Sequence, residues 1–225
     1  MPRPRSYSET DIAAAALAVI DHDGLAALTM RAVAVRLGLG TMSLYRYVSD
    51  REQLEGLVVD LVLSAVDTTP PPGLPWNEQL TVLVERVRAA AAAHPQVIPL
   101  ALTHRHTSAN VLRWAEAVLG VLTAAGFTED RRAIALRCLL GHLIGSIQMD
   151  HLGPLSGAGT EAMARLSPEA YPLLAETARE AREVTAGDEF RRGFHILLLG
   201  LRASLDEAAE TGPEVTNRRT PRGGT

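Results

Sequence analysis

Residues 28–48, LTMRAVAVRLGLGTMSLYRYV, carry the pattern that decides the fold of the first part of this chain. Thr29 can cap a short helix, and Val33 and Leu37 lie four residues apart, which places them on one buried face. The following residues 38–40, GLG, predict a tight corner, because glycine takes a positive φ without steric cost. The stretch therefore begins as a helix that ends in a sharp turn.

A second short helix is predicted after this corner. Thr41 is expected to cap it, and only Leu44 and Val48 are placed to face inward. Its outer edge is not uniformly apolar and carries Thr41, Met42, Ser43 and Tyr45. A helix with such an edge has the size and the hydrogen-bonding groups to enter a DNA major groove. The pattern is typical of a helix-turn-helix, although two helices joined by a glycine turn also occur as plain packing elements.

The wider window of residues 8–66 resembles the tetracycline-repressor (TetR) family of bacterial regulators. The motifs that carry the resemblance are DIAAAALAVIDHDGLAALT for a first helix, T-x-R-x-V-A-x-x-L-G-L-G for a second, SLYRYV for a third and SDREQL at the start of a fourth. Their order and spacing are specific. The resemblance covers about a quarter of the chain by motif, and the remainder only as a helix pattern of the expected length.

The resemblance implies that double-stranded operator DNA is the partner. The family reads DNA with the start of helix 2, with helix 3 and with the start of helix 4, which implicates Thr29, Arg31, Thr41, Met42, Ser43, Tyr45, Tyr47 and Arg51. The two tyrosines are expected to contact phosphates through their hydroxyls. Thr41 and Ser43 can reach base edges, whereas Met42 can offer only an apolar contact.

The composition of the 225 residues favours an all-α protein. Aromatic residues make up only 4% of the chain, and the 47% of hydrophobic residues are mostly Ala, Leu and Val. Strands depend on β-branched and aromatic residues, so we expect essentially no sheet.

The charge balance excludes a generic polycation. All 22 basic residues are arginine, the acidic residues number 26, and the net charge is −4. Through Arg51 there are six arginines and five acids, a net charge of +1. Any affinity for phosphate must therefore come from the local placement of a few side chains.

The Pro-rich segment 67–76, DTTPPPGLPW, predicts the main boundary, because such a run cannot continue a helix. We expect residues 1–66 to form a helix-turn-helix DNA-binding domain, with residues 1–7 as a flexible arm. Residues 77–210 are expected to form a helical regulatory and dimerisation domain, and 211–225 a disordered tail.

Capping signals and apolar spacing predict the individual helices. Ser8 with Asp11 resembles a capping box for helix 1, and helix 4 is expected to start at Asp50. In the body, helices are predicted over residues 77–94, 96–103, 107–125, 130–149, 167–181 and 188–208, with a loop over 151–159.

The helices predicted over 130–149 and 188–208 are apolar on nearly all faces. Such a helix must be covered on all faces, which one domain of this size does not easily provide. We expect a homodimer in which a partner subunit covers them, with Gly141, Gly145, Gly193 and Gly200 allowing close approach. A purely intrachain core is the alternative. In TetR-like proteins the corresponding helices form a four-helix dimer interface.

Uncommon aromatic or polarisable groups in the body are the candidates for binding a small-molecule effector: His104, Trp114, His142, Gln148 and Met149. Buried structural roles remain open for each of them. His104, His106 and His142 could meet as metal ligands, but no carboxylate or thiol at matching spacing supports a metal site.

Several classes of protein have no positive signal in the sequence. It contains no G-x-S-x-G, H-E-x-x-H, P-loop or Rossmann fingerprint, so no catalytic residue and no cofactor is expected. Cys138 is the only cysteine and is expected to be buried. No run of eighteen apolar residues and no secretory signal occurs, which predicts a cytoplasmic protein without a membrane partner.

The sequence as a whole predicts an all-α, homodimeric transcriptional regulator. Because the family mostly works by occupying operators, we expect a repressor that a small-molecule ligand releases from DNA. The alternative is a helical small-molecule-binding or enzymatic protein in which the first sixty residues have no DNA role.

Overall fold

The computed structural model describes residues 6–210, and every regular element in that range is helical. The predicted all-α class is confirmed. Most of the predicted arm, residues 1–5, and the predicted tail, residues 211–225, lie outside the described residues. The helices are α1 (Glu9–Asp23), α2 (Met30–Arg36), α3 (Thr41–Leu44), α4 (Arg51–Leu63), α5 (Trp76–Ala92), α6 (Ile98–Thr103), α7 (Ala109–Ala124), α8 (Glu129–Leu152), α9 (Ala158–Ala164), α10 (Pro172–Ala181) and α11 (Ala186–Glu210).

Helix α1 begins and ends as its sequence predicts. The Ser8 hydroxyl accepts a hydrogen bond from Asp11 N at 3.1 Å, and the Asp11 carboxylate accepts one from Ser8 N at 2.9 Å. This reciprocal pair is the predicted capping box. The helix ends at Gly24, whose φ of 88° is a conformation that glycine adopts readily.

The turn between α2 and α3 is fixed by backbone hydrogen bonds around Gly38, which has a φ of 68°. Leu39 N donates to Ala34 O at 2.8 Å, and Gly38 N donates to Val35 O at 3.0 Å, the pattern of a Schellman motif. Thr29 caps α2 by accepting from Ala32 N, as predicted. This geometry confirms the sharp corner.

The predicted cap of α3 is wrong by one residue. Gly40 occupies the N-cap position, and Thr41 is the first helical residue, so its side chain makes no cap hydrogen bond. The regular helix ends at Leu44, but turns continue the same path, with Val48 N donating to Leu44 O at 3.2 Å. Leu44 and Val48 are both buried, as their positions predict.

Helices α1 to α4 share a first core, which residues from the body complete. Its buried members include Ile12, Ile20, Leu28, Val33, Leu44, Leu54 and Val58, together with Val97 and Leu100. Gln96 Oε1 accepts from Leu25 N at 2.9 Å, and His94 Nδ1 lies 3.0 Å from the Asp21 carboxylate. The first four helices are therefore joined to the body at residues 94–100. The boundary at 67–76 stays a prediction, although no helix occurs between Leu63 and Trp76.

A second core lies among α5, α7, α8 and α11. Its buried residues include Leu83, Val118, Leu122, Phe127, Leu139, Phe190 and Phe194. Trp114 is buried here, and its indole Nε1 donates to Leu83 O at 3.0 Å, which satisfies the one polar atom of the ring. This core positions the body helices around one another.

Helix α8 is apolar on three faces, and each face has a different environment. Ala135, Leu139 and Leu143 are buried in the second core. Leu136, Leu140 and Ile144 pack against that core and line a cavity, which Leu143 also borders. The third face is more open: at spacings of three and four residues it carries the exposed Ile134, Cys138, Gly141 and Leu152 and the half-buried Gly145 and Gln148. The prediction that Cys138 is buried is therefore wrong for the single chain, because this residue lies on the open face.

The region after α8 differs from its prediction. Helix α8 continues to Leu152, and the predicted loop of 151–159 contains the start of an additional short helix, α9. Helix α10 begins at Pro172 rather than at residue 167. Proline lacks the backbone N–H that the first turn of a helix cannot pair, so it fits this starting position.

Helix α11 is not apolar all round. Phe190, Phe194, Leu198 and Leu201 form its buried stripe. The rest of the helix exposes Ile196 and Leu199 beside several charged side chains: Arg191, Arg192 and Arg202. One apolar stripe therefore packs in the chain and a second, mixed stripe is open.

Gly193 serves packing within the chain rather than the predicted approach of a partner. A Cβ atom at this position would lie 2.7 Å from Cε1 of His142. The His142 ring is held there by the hydrogen bond from its Nε2 to Phe190 O, at 3.1 Å, and by the rings of Phe190 and Phe194. Gly193 is thus the position that allows α11 to lie against α8.

We expect Gly193→Ala to destabilise the protein by about 1–3 kcal/mol, the usual effect of overpacking a core. Gly120→Ala is the matched control, because Gly120 is also inside a helix but a Cβ atom there would meet nothing within 4 Å. That control should gain about 0.5–1 kcal/mol from helix propensity. Chemical denaturation of both variants measures the two effects, and equal gains would contradict the packing role of Gly193.

Candidate functional site

The outer edge of the α2–α3 unit presents a group of side chains to solvent. Met42 is 79% exposed and Tyr45 is 46% exposed, while Leu44 between them is fully buried. Thr41 and Ser43 are half-buried on the same short element. Because Leu44 and Val48 fix the inner side, the other positions of α3 must face outward. We call these outward positions, with the starts of α2 and α4, the α3 surface.

The starts of α2 and α4 flank this edge with cations. Arg31 is exposed in the first turn of α2, next to the capping residue Thr29. Arg51 is the first residue of α4, and its Nε lies 2.7 Å from Oε1 of Glu55, one turn later. This ion pair uses one edge of the guanidinium, and the side chain remains exposed.

Asp50 caps α4 and keeps its charge at neutral pH. The backbone N–H of Gln53 and the hydroxyl of Ser49 donate to its carboxylate, and they hold the pKa of Asp50 below its ordinary value. A lowered pKa stabilises the fold above the ordinary pKa of an aspartate. That contribution is lost as the pH falls through the lower, folded-state pKa. The start of α4 is therefore fixed throughout the neutral range.

Tyr47 differs from Tyr45 in being partly covered. Its ring stands edge-on to Tyr7, with the centroids 6.4 Å apart. The Tyr7 hydroxyl donates to Leu37 O at 2.6 Å, which satisfies a carbonyl at the end of α2. The prediction of a flexible arm over residues 1–7 is thus wrong for Tyr7. No sequence signal marked this contact, because the two partners lie thirty residues apart.

Two acidic residues of α4, Glu55 and Asp60, make polar contacts with the segment between α6 and α7 and with the first turn of α7. His104 is buried, and its Nε2 lies 3.2 Å from Oε2 of Glu55, the carboxylate that also pairs with Arg51. One turn further along α4, Asp60 Oδ1 accepts from the Ser108 hydroxyl and from Asn110 N. We call these two contacts the α4 junction.

A cavity of about 220 Å³ lies in the body, next to the end of α4. Helices α5, α6, α7 and α8 supply its wall, which includes Ile98, Leu102, Trp114, Leu140 and Ile144. Leu63 from the last turn of α4 and Val66 just after it close one side. The wall is almost entirely apolar, and Arg105, Asn110 and Trp114 are its residues with side-chain N–H groups.

The structure brings one of the five predicted effector-binding residues to this cavity, namely Trp114. His104 lies instead in the α4 junction, and His142 packs against Phe190 and Phe194. Gln148 and Met149 are in the last third of α8, outside the cavity wall, and Met149 is exposed. The apolar lining from α8 was predicted only as part of a helix that is apolar on nearly all faces, because periodicity does not distinguish a face that lines a cavity from one that is packed.

The described residues contain neither a cluster of metal ligands nor a helix suited to span a membrane. Among residues 6–210, no three side chains of His, Cys, Asp or Glu come together as metal ligands would. Within the same residues, no helix has the length and apolar character needed to cross a membrane.

Comparison with known families identifies the protein. Residues 69–205, more than half of the chain, match the profile described as "Tetracyclin repressor-like, C-terminal domain", and residues 12–54 match "Bacterial regulatory proteins, tetR family". The chain belongs to the tetracycline-repressor (TetR) family. It is a DNA-binding transcriptional repressor, and α2 and α3 are its helix-turn-helix. TetR-family regulators are non-enzymatic DNA-binding proteins, so the alternative interpretation without a DNA role is wrong.

Individual relatives span nearly the whole repressor. An HTH-type transcriptional regulator of Saccharopolyspora erythraea is 29% identical over 219 residues, 90% of each chain. The tetracycline repressor protein class E of Escherichia coli is 27% identical over 214 residues, 92% of this chain and 97% of that protein.

The solved structures of ActR from Streptomyces coelicolor share the fold. The ligand-free form superposes with a TM-score of 0.77 at 25% identity and covers 90% of this chain and 98% of ActR. A complex of ActR with actinorhodin superposes with a TM-score of 0.74 at 26% identity, over 89% of this chain and 99% of ActR.

Proposed function

We propose that this TetR-family repressor binds its operator as a homodimer and is released when a small, mostly apolar molecule enters the cavity beside α4. One observation carries the proposal: α4 begins at the α3 surface with Arg51 and ends at the cavity with Leu63. A single helix of 13 residues, about 20 Å long at 1.5 Å per residue, therefore links the two places.

The α3 surface is proposed to read the DNA. Tyr45 and Met42 are exposed where a major groove would meet α3, and Thr41 and Ser43 lie beside them. Thr29, Arg31 and Arg51 stand at the starts of the flanking helices, where they are placed to contact phosphates. Tyr47 is the least accessible of the predicted contacts, since it packs against Tyr7.

The homodimer is proposed to form through α8 and α11. On α8 the open face repeats at spacings of three and four residues from Ile134 to Leu152, and on α11 the exposed positions Arg192, Ile196, Leu199 and Ala203 follow the same spacing. Cβ atoms at Gly141 or Gly200 would meet nothing within 4 Å, which leaves room for a second helix pair. A second copy of this chain offers the same mixed apolar face, as a two-fold symmetric interface requires.

An effector is proposed to occupy the cavity because its wall is apolar and enclosed by four body helices and the end of α4. ActR, which shares the fold, has been solved in complex with actinorhodin. Leu102 and Arg105 border the cavity. His104, which lies between them in the sequence, contacts Glu55 of α4 through its Nε2. An effector in the cavity is therefore expected to shift the α4 junction. Because α4 begins at the α3 surface, this shift would change the distance between the α3 surfaces of the two subunits. Such a regulator acts where the operator lies, so a cytoplasmic location stays our prediction.

The proposal predicts a reciprocal effect between effector and operator. We expect 2-naphthamide, a neutral two-ring probe, to bind the cavity, and operator DNA to weaken its binding by about 5-fold or more, within the usual range of allosteric coupling. The probe must weaken operator binding by the same factor. Isothermal titration with and without an operator fragment, selected from promoter DNA beside the protein's own gene, measures both.

Ile144→Trp provides the control, because Ile144 lines the cavity and a larger ring would fill it. This variant should lose the probe, and a cooperative thermal unfolding transition like that of the wild type would show that it is folded. Ala115→Leu, a smaller filling of the same wall, repeats the test. Probe binding that persists in both variants, or equal probe affinities with and without operator, would contradict the proposal.

A further inference from the structure

We infer that the effector is an acidic molecule, with an oxyanion such as a carboxylate held by Arg105 and an apolar body of about two fused rings. This inference rests on the proposed function and names the chemical class of its ligand. It follows from which polar groups at the cavity are free to meet a ligand, and from the volume that remains.

Two of the three N–H-bearing residues in the cavity wall use their polar atoms within the protein. Trp114 Nε1 donates to Leu83 O at 3.0 Å. Asn110 Nδ2 donates to the backbone oxygen of Asp60 at 3.0 Å and to its carboxylate at 3.2 Å, while Asn110 Oδ1 accepts from Arg113. A ligand polar group therefore gains little from either residue.

Arg105 is different. Its Nη1 donates to Leu102 O at 2.7 Å, which anchors the guanidinium beside a residue of the cavity wall. That contact occupies one of five N–H groups, and none of the ion pairs within residues 6–210 includes Arg105. Two acids of α4 that contact this region already have partners: Asp60 accepts from Ser108 and Asn110, and Glu55 pairs with Arg51 and His104. An arginine with an open fork at an apolar cavity favours a planar oxyanion over a neutral polar group.

The volume limits the apolar part. Cavities of about 150 Å³ lined by apolar side chains hold benzene. This cavity, at about 220 Å³, is about half as large again as such a benzene-binding cavity. Apart from Arg105, Asn110 and the indole of Trp114, its wall is aliphatic. A two-ring body fits that space with its acidic group directed to Arg105, at the exposed end of the cavity.

The test compares two probes that differ only in charge. At pH 7.5 the carboxylate 2-naphthoate should bind at least about 10-fold more tightly than neutral 2-naphthamide, as a charge-assisted bidentate contact requires. Arg105→Gln should abolish the preference by weakening 2-naphthoate alone. Arg179→Gln, which removes an exposed arginine on α10 away from the cavity, should leave both affinities unchanged.

The outcomes separate this inference from the proposed function. If 2-naphthamide binds, is lost in Ile144→Trp, and matches 2-naphthoate in affinity, the acidic ligand is wrong and the effector cavity stands. Equal losses for both probes in Arg105→Gln would likewise overturn the role of Arg105. If neither probe binds the wild-type protein, the proposed effector site fails and this inference fails with it.

Discussion

Tyr45→Ala will lower operator affinity by about 100-fold or more while leaving the unfolding transition unchanged. The side chain is 46% exposed on the outer edge of α3, so its removal disturbs no core packing. A hydrogen bond from its hydroxyl to a phosphate contributes about 1.5–3 kcal/mol. Because a dimer presents two α3 surfaces to one operator, this hydrogen bond is lost twice. The binding free energy therefore falls by about 3 kcal/mol or more.

Two neighbouring variants isolate the cause. Tyr45→Phe removes only the hydroxyl and should account for most of the loss, if the contact is to phosphate. Leu44→Ala, at a fully buried position one residue earlier, should instead destabilise the first core by about 2–5 kcal/mol. Fluorescence anisotropy with an operator fragment gives the affinity, and thermal melting gives the stability. Unchanged operator affinity in Tyr45→Ala would remove α3 from the proposed DNA contact.

Leu199→Glu will convert the dimer to monomers at micromolar concentration. Leu199 is 54% exposed on the open face of α11, and the proposed interface would bury it. A two-fold axis places two copies of the new carboxylate in that interface, where the burial of each charge costs its hydration. Operator affinity should fall by about 100-fold or more. In the dimer, binding of one α3 surface holds the second at a high effective concentration near the operator, and separate monomers lose this advantage.

Leu173→Glu is the matched control for this assembly prediction. Leu173 is 76% exposed, but it lies on α10, outside the proposed α8 and α11 faces. The same substitution there should leave a dimer in sedimentation analysis and normal operator binding. The opposite pattern, with Leu199→Glu dimeric and Leu173→Glu monomeric, would move the interface to the α9–α10 region.

The local signals of the sequence predicted the first four helices well because the interactions that set them span only a few residues. The Ser8 capping box and the caps at Thr29 and Asp50 each join residues three positions apart. The corner at Gly38 depends on a positive φ, and the glycine itself marks in the sequence the position that can adopt it. The predicted N-cap of α3 was wrong because Gly40 and Thr41 are adjacent, and either residue type can occupy an N-cap position.

The body was harder to predict because its apolar residues serve three purposes that look alike in sequence. Along α8, aliphatic or small residues face the second core, the cavity and part of the solvent-exposed surface alike. For this reason Cys138 was expected to be buried, and Leu136, Leu140 and Ile144 were not recognised as cavity lining. The effector-binding candidates were chosen as the uncommon aromatic or polarisable residues of the body, and of these five only Trp114 lines the cavity.

The sequence by itself determined the all-α class, the helix-turn-helix and the exposed edge of α3, because periodicity, caps and one glycine turn act over short distances along the chain. Only the tertiary structure decided the partners of residues far apart in sequence. It placed His104 against Glu55, 49 positions away, and Gly193 against His142. It also opened the cavity at the end of α4, since a void arises from how several helices pack together and no single helix encodes it.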